Sequence, residues 1–413
     1  MTVRRRIRPP VPAPAQLSGR AADRPDGRRT GSGGRGRRVA RLRSAAAAAT
    51  LAVSLAACSA GEGGTGGTGA SPGSGGSGGT GAGSGPSRTS PPTERPAGAV
   101  RVLTSGLEAP WGIAFLPGGE ALVTERDSAR ILRVPAAGGP ATEVQRLSEV
   151  DGGGEGGLLG IAVSPRYATD GQVYVYYTTS EDNRIARMRL GERPRPIVTG
   201  IPRSGIHNGG RLAFGPDGFL YAGTGDASER GRSQDVGSLG GKVLRMTPDG
   251  QPAPGNPFPG SLVFSKGHRN VQGLAFDSAG RLWASEFGQN RFDEVNRIEA
   301  GRDYGWPAVE GASDDSRFAP PLVTWRTSDA SPSGAAIAGD TLYVAALRGE
   351  RLWQVPLDGR GGVGRPRATL VDRYGRLRAV APAPDGSLWV LTSNRDGRGN
   401  PSPDDDRILR VTP

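Results

Sequence analysis

The chain has 413 residues with 52 Lys and Arg against 40 Asp and Glu, a net charge of +12 that would normally point to nucleic acid or acidic membranes. Its distribution excludes that reading: residues 1–57 carry 13 Arg and 2 Asp, and 39 basic against 38 acidic residues follow. A nearly neutral body has no long-range field for gathering phosphates, so no nucleic-acid partner is expected.

In chain order, residues 1–38 are rich in Arg, Pro and Gly without apolar periodicity, and RRVARLRSAAAAATLAVSLAAC follows. A basic flank, an apolar run from Ala45 to Ala57 and small residues at the cut read as a secretory signal. The run is well short of the ~20 residues that a membrane-spanning helix needs. Cys58 is the only cysteine, and Leu55-Ala56-Ala57-Cys58 resembles a bacterial lipobox, so a lipid on Cys58 would hold the exported protein on a membrane. A plain secretion signal with an incidental cysteine is the alternative. The long leader also fits a translation start near Val39. Residues 1–57 are therefore read as leader and lipoprotein signal peptide, and residues 58–98, a Gly/Ser/Thr tract with nothing apolar to bury, as a flexible disordered linker. With Cys58 lipidated, no internal disulfide is available.

Residues 99–413 repeat one phrase six times: an apolar strand, a Pro/Asp/Gly turn, a second apolar strand and a polar stretch ending in another short strand. The copies begin at Gly112, Gly160, Arg211, Gly273, Gly334 and Ala379, for example RLAFGPDGFLYAGTGD from Arg211. Repeats of this length suit a four-stranded blade and are too long for a rung of a β-helix. An all-β, six-bladed β-propeller is predicted, closed by pairing VRVLTS at 100–105 with DRILRV near the C-terminus. A pair of β-sandwiches is the alternative.

Functional groups of a propeller collect on the loops at one end of its channel. His207 precedes the first strand of the third copy and Asp226 follows the second, so the two are expected at one rim. A carboxylate that fixes an imidazole tautomer makes a general base; a structural loop histidine is the plain alternative. His268 has no comparable partner in the pattern and reads as structural. Arg269, Arg348, Arg376 and Arg378 occupy equivalent rims of other copies, a convergence that calls for a polyanionic ligand or compensating acids. Motifs for zinc hydrolysis, serine nucleophiles and phosphate loops are missing. The stretch FGQNRFDEVNRIEAGRDYGWP is compatible with Ca²⁺ on backbone oxygens and a carboxylate.

The segments GEGGLLGIAVSP, IHNGGRLAFGPDGFLYAGTGD, GKVLRMTPDG, GHRNVQGLAFD, DEVNRIEAGRDYGWP and RLRAVAPAPDGSLWVLT, in this order across 99–413, resemble the soluble PQQ-dependent aldose sugar dehydrogenases, the glucose/sorbosone dehydrogenase family. The resemblance implies a six-bladed propeller that oxidises the anomeric carbon of an aldose to a lactone by hydride transfer to PQQ, with an unidentified electron acceptor. It implies that His207 is the base and Asp226 its supporting acid, and that Arg269, Asn270, Arg376 and Arg378 contact PQQ. Glu155 and Arg348 belong to the same cofactor-binding set, as departures: Glu155 stands where Gln is usual and Arg348 where Lys is. Gly288 and Gln289 fall where the family gives backbone oxygens to the cofactor Ca²⁺, with Phe287 and Gln289 departing from the family pattern. Glu294 and Tyr304 fall near a second Ca²⁺ site. A Ca²⁺-dependent lactonase and a non-catalytic carbohydrate-binding propeller are the competing functions.

Overall fold

Each repeated phrase opens the innermost strand of a four-stranded antiparallel sheet, because alternating apolar residues between glycine-bearing turns bury one face at a time. A computed structural model describes residues 98–413, which fall in the compact unit Gly85–Pro413. The leader, Cys58 and the linker up to residue 97 lie outside the described residues. Blade 1 comprises Pro110–Phe115, Ala121–Glu125, Arg130–Val134 and Thr142–Arg146. Blade 2 comprises Leu158–Val163, Val173–Thr178, Asn183–Met188 and Arg195–Ile201. Blade 3 comprises Leu212–Phe214, Leu220–Gly223, Val243–Met246 and Val263–Ser265. Blade 4 comprises Val271–Phe276, Leu282–Glu286, Phe292–Ile298 and Val323–Arg326. Blade 5 comprises Pro332–Ala338, Thr341–Ala346, Arg351–Pro356 and Arg367–Thr369. Blade 6 has Leu377–Pro382, Leu388–Thr392 and Ile408–Val411.

The fourth strand of blade 6 comes from the other end of the sequence. Val100–Thr104 pairs antiparallel with Ile408–Val411, Val100 opposite Val411 and Arg101 opposite Arg410. First strands of successive blades touch all round, blade 6 returning to blade 1. The result is the six-bladed propeller expected from the repeats. None of the helices among the described residues is long and apolar enough to cross a bilayer.

Two local features follow from the repeated phrase. The connection from the first strand to the second carries a glycine at positive φ in every blade, at Gly119, Gly171, Gly218, Gly280, Gly339 and Gly386, with φ of 86°, 64°, 77°, 77°, 55° and 81°, a conformation that other residues adopt only at a cost. The glycine inside the first strand serves close approach instead: a Cβ on Gly160 would lie 2.1 Å from the Gly210 carbonyl oxygen, and one on Gly334 2.7 Å from Ala379 Cα. The core is divided among the blade interfaces. Leu159, Tyr174, Tyr176 and Leu244 pack between blades 2 and 3, joined by Trp111 from blade 1, and stacked Trp325 and Trp353, 5.0 Å apart, between blades 4 and 5.

Candidate active site

His207 and Asp226 meet at the rim of blade 3, as their positions in the repeat predict. His207 Nδ1 lies 2.7 Å from Asp226 Oδ1, and Asp226 is fully buried. Oδ1 also accepts the Ser228 amide at 2.9 Å, and Oδ2 the indole Nε1–H of Trp306 at 2.9 Å. Burial alone would raise the Asp226 pKa, but the His207 hydrogen bond and charge, with Trp306 and Ser228, outweigh it and hold it below the ordinary carboxylate range. An ionised acceptor fixes the proton on Nδ1 and leaves Nε2 with its lone pair. Arg269 already uses that lone pair: its guanidinium Nη2 donates to Nε2 at 2.8 Å.

The backbone at His207 is left-handed, φ 60°, which costs a side-chain-bearing residue about 1–2 kcal/mol. Glu155 holds it there. One oxygen, Oε2, accepts the His207 amide at 2.8 Å, and the other, Oε1, accepts Arg398 Nη1 at 2.8 Å. Burial pushes the Glu155 carboxyl up, and the His207 amide and Arg398 more than offset it, so its pKa lies below the usual value. Glu155 thus reaches the rim as a clamp on the histidine backbone rather than as a bare charge beside a ligand.

The chain of hydrogen bonds continues across the channel mouth. The Arg398 amide donates to Asp396 Oδ1 at 3.0 Å, and Asp396 Oδ2 accepts Arg376 Nη2 at 2.9 Å and Arg378 Nη2 at 3.2 Å. One of the two answers to the convergence of Arg376 and Arg378, a compensating acid, is present: Asp396 follows the second strand of blade 6 and neutralises part of their charge. Burial works to raise the Asp396 pKa; Arg378 and Arg376 overcome it and keep it low. A cleft of about 420 Å³ opens beside this network, between Arg126, Asp127, Gly152, Gly153, Asp396 and Arg398. Arg348 stays exposed in the turn after Thr341–Ala346 and joins none of these hydrogen bonds.

Donors outnumber acceptors in this rim. Asn270 is fully buried and its Oδ1 accepts the Gly209 amide at 2.9 Å. Asn270 Nδ2, Arg269 Nε and Arg378 Nε are buried with no partner among the described residues. Buried polar groups are seldom left so, and a set made only of donors fits an anion with several acceptor oxygens. The residues therefore suit PQQ, whose carboxylates are such acceptors.

The loop after the second strand of blade 4 is held by acids. Gly288 donates its amide to Asp293 Oδ1 at 2.9 Å, and Gln289 its amide to Glu310 Oε1 at 2.6 Å. The amides of Asn290, Arg291 and Phe292 converge on the same Glu310 oxygen. With their N–H groups turned to these acids, Gly288 and Gln289 keep their carbonyl oxygens for other partners. Glu294 is buried, accepts the Gly311 amide at 2.7 Å and Asn296 Nδ2 at 3.0 Å, and burial with nearby Glu286 pushes its pKa up to about 8. Two neighbouring buried carboxylates, Glu286 and Glu294, offer oxygen ligands of the kind that Ca²⁺ takes. Among the described residues no group of three or more His, Cys, Asp or Glu gathers as a metal site. The Tyr304 hydroxyl is used internally, donating to the Arg297 carbonyl at 2.6 Å and accepting the Glu299 amide at 2.9 Å.

His268 does have a partner, contrary to the sequence pattern as read. Its Nδ1 lies 2.6 Å from Glu286 Oε2 and its Nε2 2.8 Å from Ser265 Oγ, and its ring stacks on Tyr304 at 4.7 Å. Both nitrogens are occupied and the ring is wholly buried, which suits the structural duty expected of it.

The glucose/sorbosone dehydrogenase model matches residues 107–409. The chain belongs to that family. A PQQ-bound aldose sugar dehydrogenase from Streptomyces coelicolor is 54% identical, with 78% of this chain and 99% of that one covered and a TM-score of 0.74. A Thermus thermophilus structure described as a putative oxidoreductase (glucose dehydrogenase) is 46% identical, with 76% and 99% covered and a TM-score of 0.71. The aldose sugar dehydrogenase YliI of Escherichia coli is 28% identical over 353 residues, 76% of this chain and 92% of that protein.

Several residues of this family member's site escape a reading of the repeats. Trp306 comes from the insertion between the third and fourth strands of blade 4, 80 positions from the Asp226 it touches, and it also lies 5.5 Å from the Arg269 guanidinium. Asp396 and Arg398 lie in a Gly/Pro-rich loop; the place of Asp396 in the loop after a second strand, two positions beyond the counterpart of Asp226, was the available signal.

Proposed function

We propose that the protein oxidises an aldose at its anomeric carbon to a lactone, with PQQ and Ca²⁺ as cofactors and His207 as the general base. The observation that carries the reading is the tautomer-fixed imidazole, Nδ1 on Asp226 and Nε2 turned to Arg269, within a rim of unpaired donors. Bound PQQ would supply the two-electron acceptor for the hydride that leaves C1, and Ca²⁺ on the Gly288 and Gln289 carbonyls would polarise its reacting carbonyl. His207 Nε2 takes the proton of the anomeric hydroxyl, and Asp226 stabilises the imidazolium that results. For this the Arg269 guanidinium has to leave Nε2, and a carboxylate of PQQ is the stronger partner for it. Arg376, Arg378 and Asn270 would hold the remaining acceptor oxygens, and Glu155 keeps the histidine backbone in place. Glu294, with Glu286 and Tyr304 nearby, would contribute to a second, structural Ca²⁺ site.

Support for the cofactor comes from the PQQ-bound Streptomyces relative. Support for export and a lipid on Cys58 comes from the N-terminal sequence alone, and residues 99–413 are proposed as the catalytic domain. The decisive experiment adds PQQ and Ca²⁺ to apo-protein and follows both the absorbance of bound PQQ and dye-linked oxidation of aldoses. Binding with turnover is expected. Lactone hydrolysis without PQQ, or sugar binding without reduction of any acceptor, would replace this reading with a hydrolase or a binding module.

A further inference from the structure

One step into the channel from the mouth, equivalent positions of the first strands carry Trp111, Leu159, Gln272, Ser333 and Arg378, and blade 3, with Gly210 at that position, carries Arg211 one place further on. Contacts among them join blades that are not neighbours. The Arg211 guanidinium, from blade 3, lies 4.2 Å over the Trp111 ring of blade 1. Arg378 of blade 6 donates through Nη1 to Gln272 Oε1 of blade 4 at 3.1 Å. Such contacts can be made only across the lumen. Arg211 Nε donates to the Gln272 carbonyl at 2.7 Å, and Ser333 Oγ to Gln272 Oε1 at 2.9 Å.

The ring therefore holds two guanidiniums and no acid of its own. Asp396 reaches Arg378 at 3.2 Å, but among the described residues no carboxylate touches Arg211, which is 8% exposed. Arg211 Nη2 and Arg378 Nε are both buried without a partner among the described residues. Burial first, and then the neighbouring Arg378, pull the Arg211 pKa down to about 9, a sign that its surroundings resist a cation which nonetheless stays charged at neutral pH. Water could satisfy the stray N–H but not the charge, and a buried unpaired charge is among the costliest states in a protein.

We propose that Arg211 and Arg378 form an anion site inside the channel, where Arg211 Nη2 and Arg378 Nε donate to one small monovalent anion, a halide or a carboxylate group. The site lies beyond the contacts made at the mouth by Arg269 and Arg376 and shares Arg378 with them. If the anion is a carboxylate it belongs to PQQ, and that version rests on the function proposed above; a free halide does not depend on it.

Two measurements test the proposal. Crystals of apo-protein soaked in sodium bromide are expected to show anomalous density between the two guanidiniums, retained in Arg211→Lys and lost in Arg211→Met. Bromide expelled when PQQ is added would assign the site to a cofactor carboxylate, and bromide that stays beside bound PQQ would assign it to a free halide. In parallel, PQQ titration by absorbance is expected to show at least ~10-fold weaker binding in Arg211→Met if a cofactor carboxylate fills the site, the scale of one charge-assisted hydrogen bond. Absence of bromide in the wild type together with unchanged PQQ affinity in a cooperatively melting Arg211→Met protein overturns the proposal. Failure of PQQ to bind at all sinks the cofactor reading and leaves the bromide result to stand or fall by itself.

Discussion

Glu155 accepts the backbone N–H of His207 at 2.8 Å although 52 positions separate them. The contact fixes a left-handed histidine that would otherwise drift, so it acts on the orientation of the imidazole and not on its charge. Glu155→Gln keeps an acceptor for that amide and should leave kcat within a few-fold. Glu155→Ala removes it and should lower kcat about 10-fold or more with KM little changed, since near 1.4 kcal/mol of orientation corresponds to a factor of ten. Steady-state kinetics of the two PQQ-reconstituted variants separate the cases, and equal behaviour would rule out the clamp.

Replacing the base or its partner should separate chemistry from binding. His207→Ala is expected to bind PQQ and lose turnover by roughly 10²–10⁴-fold, the usual contribution of a positioned base. Asp226→Asn should lose about 100-fold or more, because a neutral amide neither fixes the Nδ1 proton nor stabilises an imidazolium. Retained turnover in His207→Ala, measured with tight PQQ binding, would refute the assignment.

Trp306 serves the same histidine from outside the repeat. Trp306→Phe keeps most of the ring but deletes the indole donor to Asp226 Oδ2, which leaves a buried carboxylate oxygen short of one hydrogen bond at a cost of about 1–3 kcal/mol. A fall of several degrees in Tm with a parallel fall in kcat is expected. A loss of stability with kcat intact would mean that the indole only packs.

Acid should expose the ion pair at the mouth. The Asp396 pKa lies below its unfolded value near 4, so its stabilisation is complete above that pH and disappears as the pH falls through the lower folded value. Asp396→Asn strands two buried guanidiniums and should cost about 3 kcal/mol near neutrality. The Tm gap between variant and wild type should narrow below pH 4. A gap of constant width from pH 6 to pH 3 would show that the aspartate matters by shape alone.

The periodic part of the molecule was readable from its residues, and the reason is physical. Every copy must bury one face against the next blade, so Gly160, Gly273 and Gly334 recur where inner strands crowd, and positive-φ glycines recur in the hairpins. The same regularity put His207 and Asp226 at one rim, since loops before a first strand and after a second share an end. It applied equally to His268 and Glu286, a pairing that went unread because the acid is the last residue of its strand and not part of a loop. Trp306, Glu310 and Arg398 were not legible. They sit in insertions that obey no period, and their partners are set by how those insertions fold back over the rim.

Closure of blade 6 by Val100–Thr104 has a consequence for the order of the chain. The Thr412 amide donates to the Ala99 carbonyl at 3.3 Å, so the two ends of the ring lie side by side and the place where synthesis starts is arbitrary as far as the blades are concerned. A short bridge from Pro413 to Gly98, with new ends cut in the exposed turn around Gly359, should yield a circular permutant that still forms all six sheets.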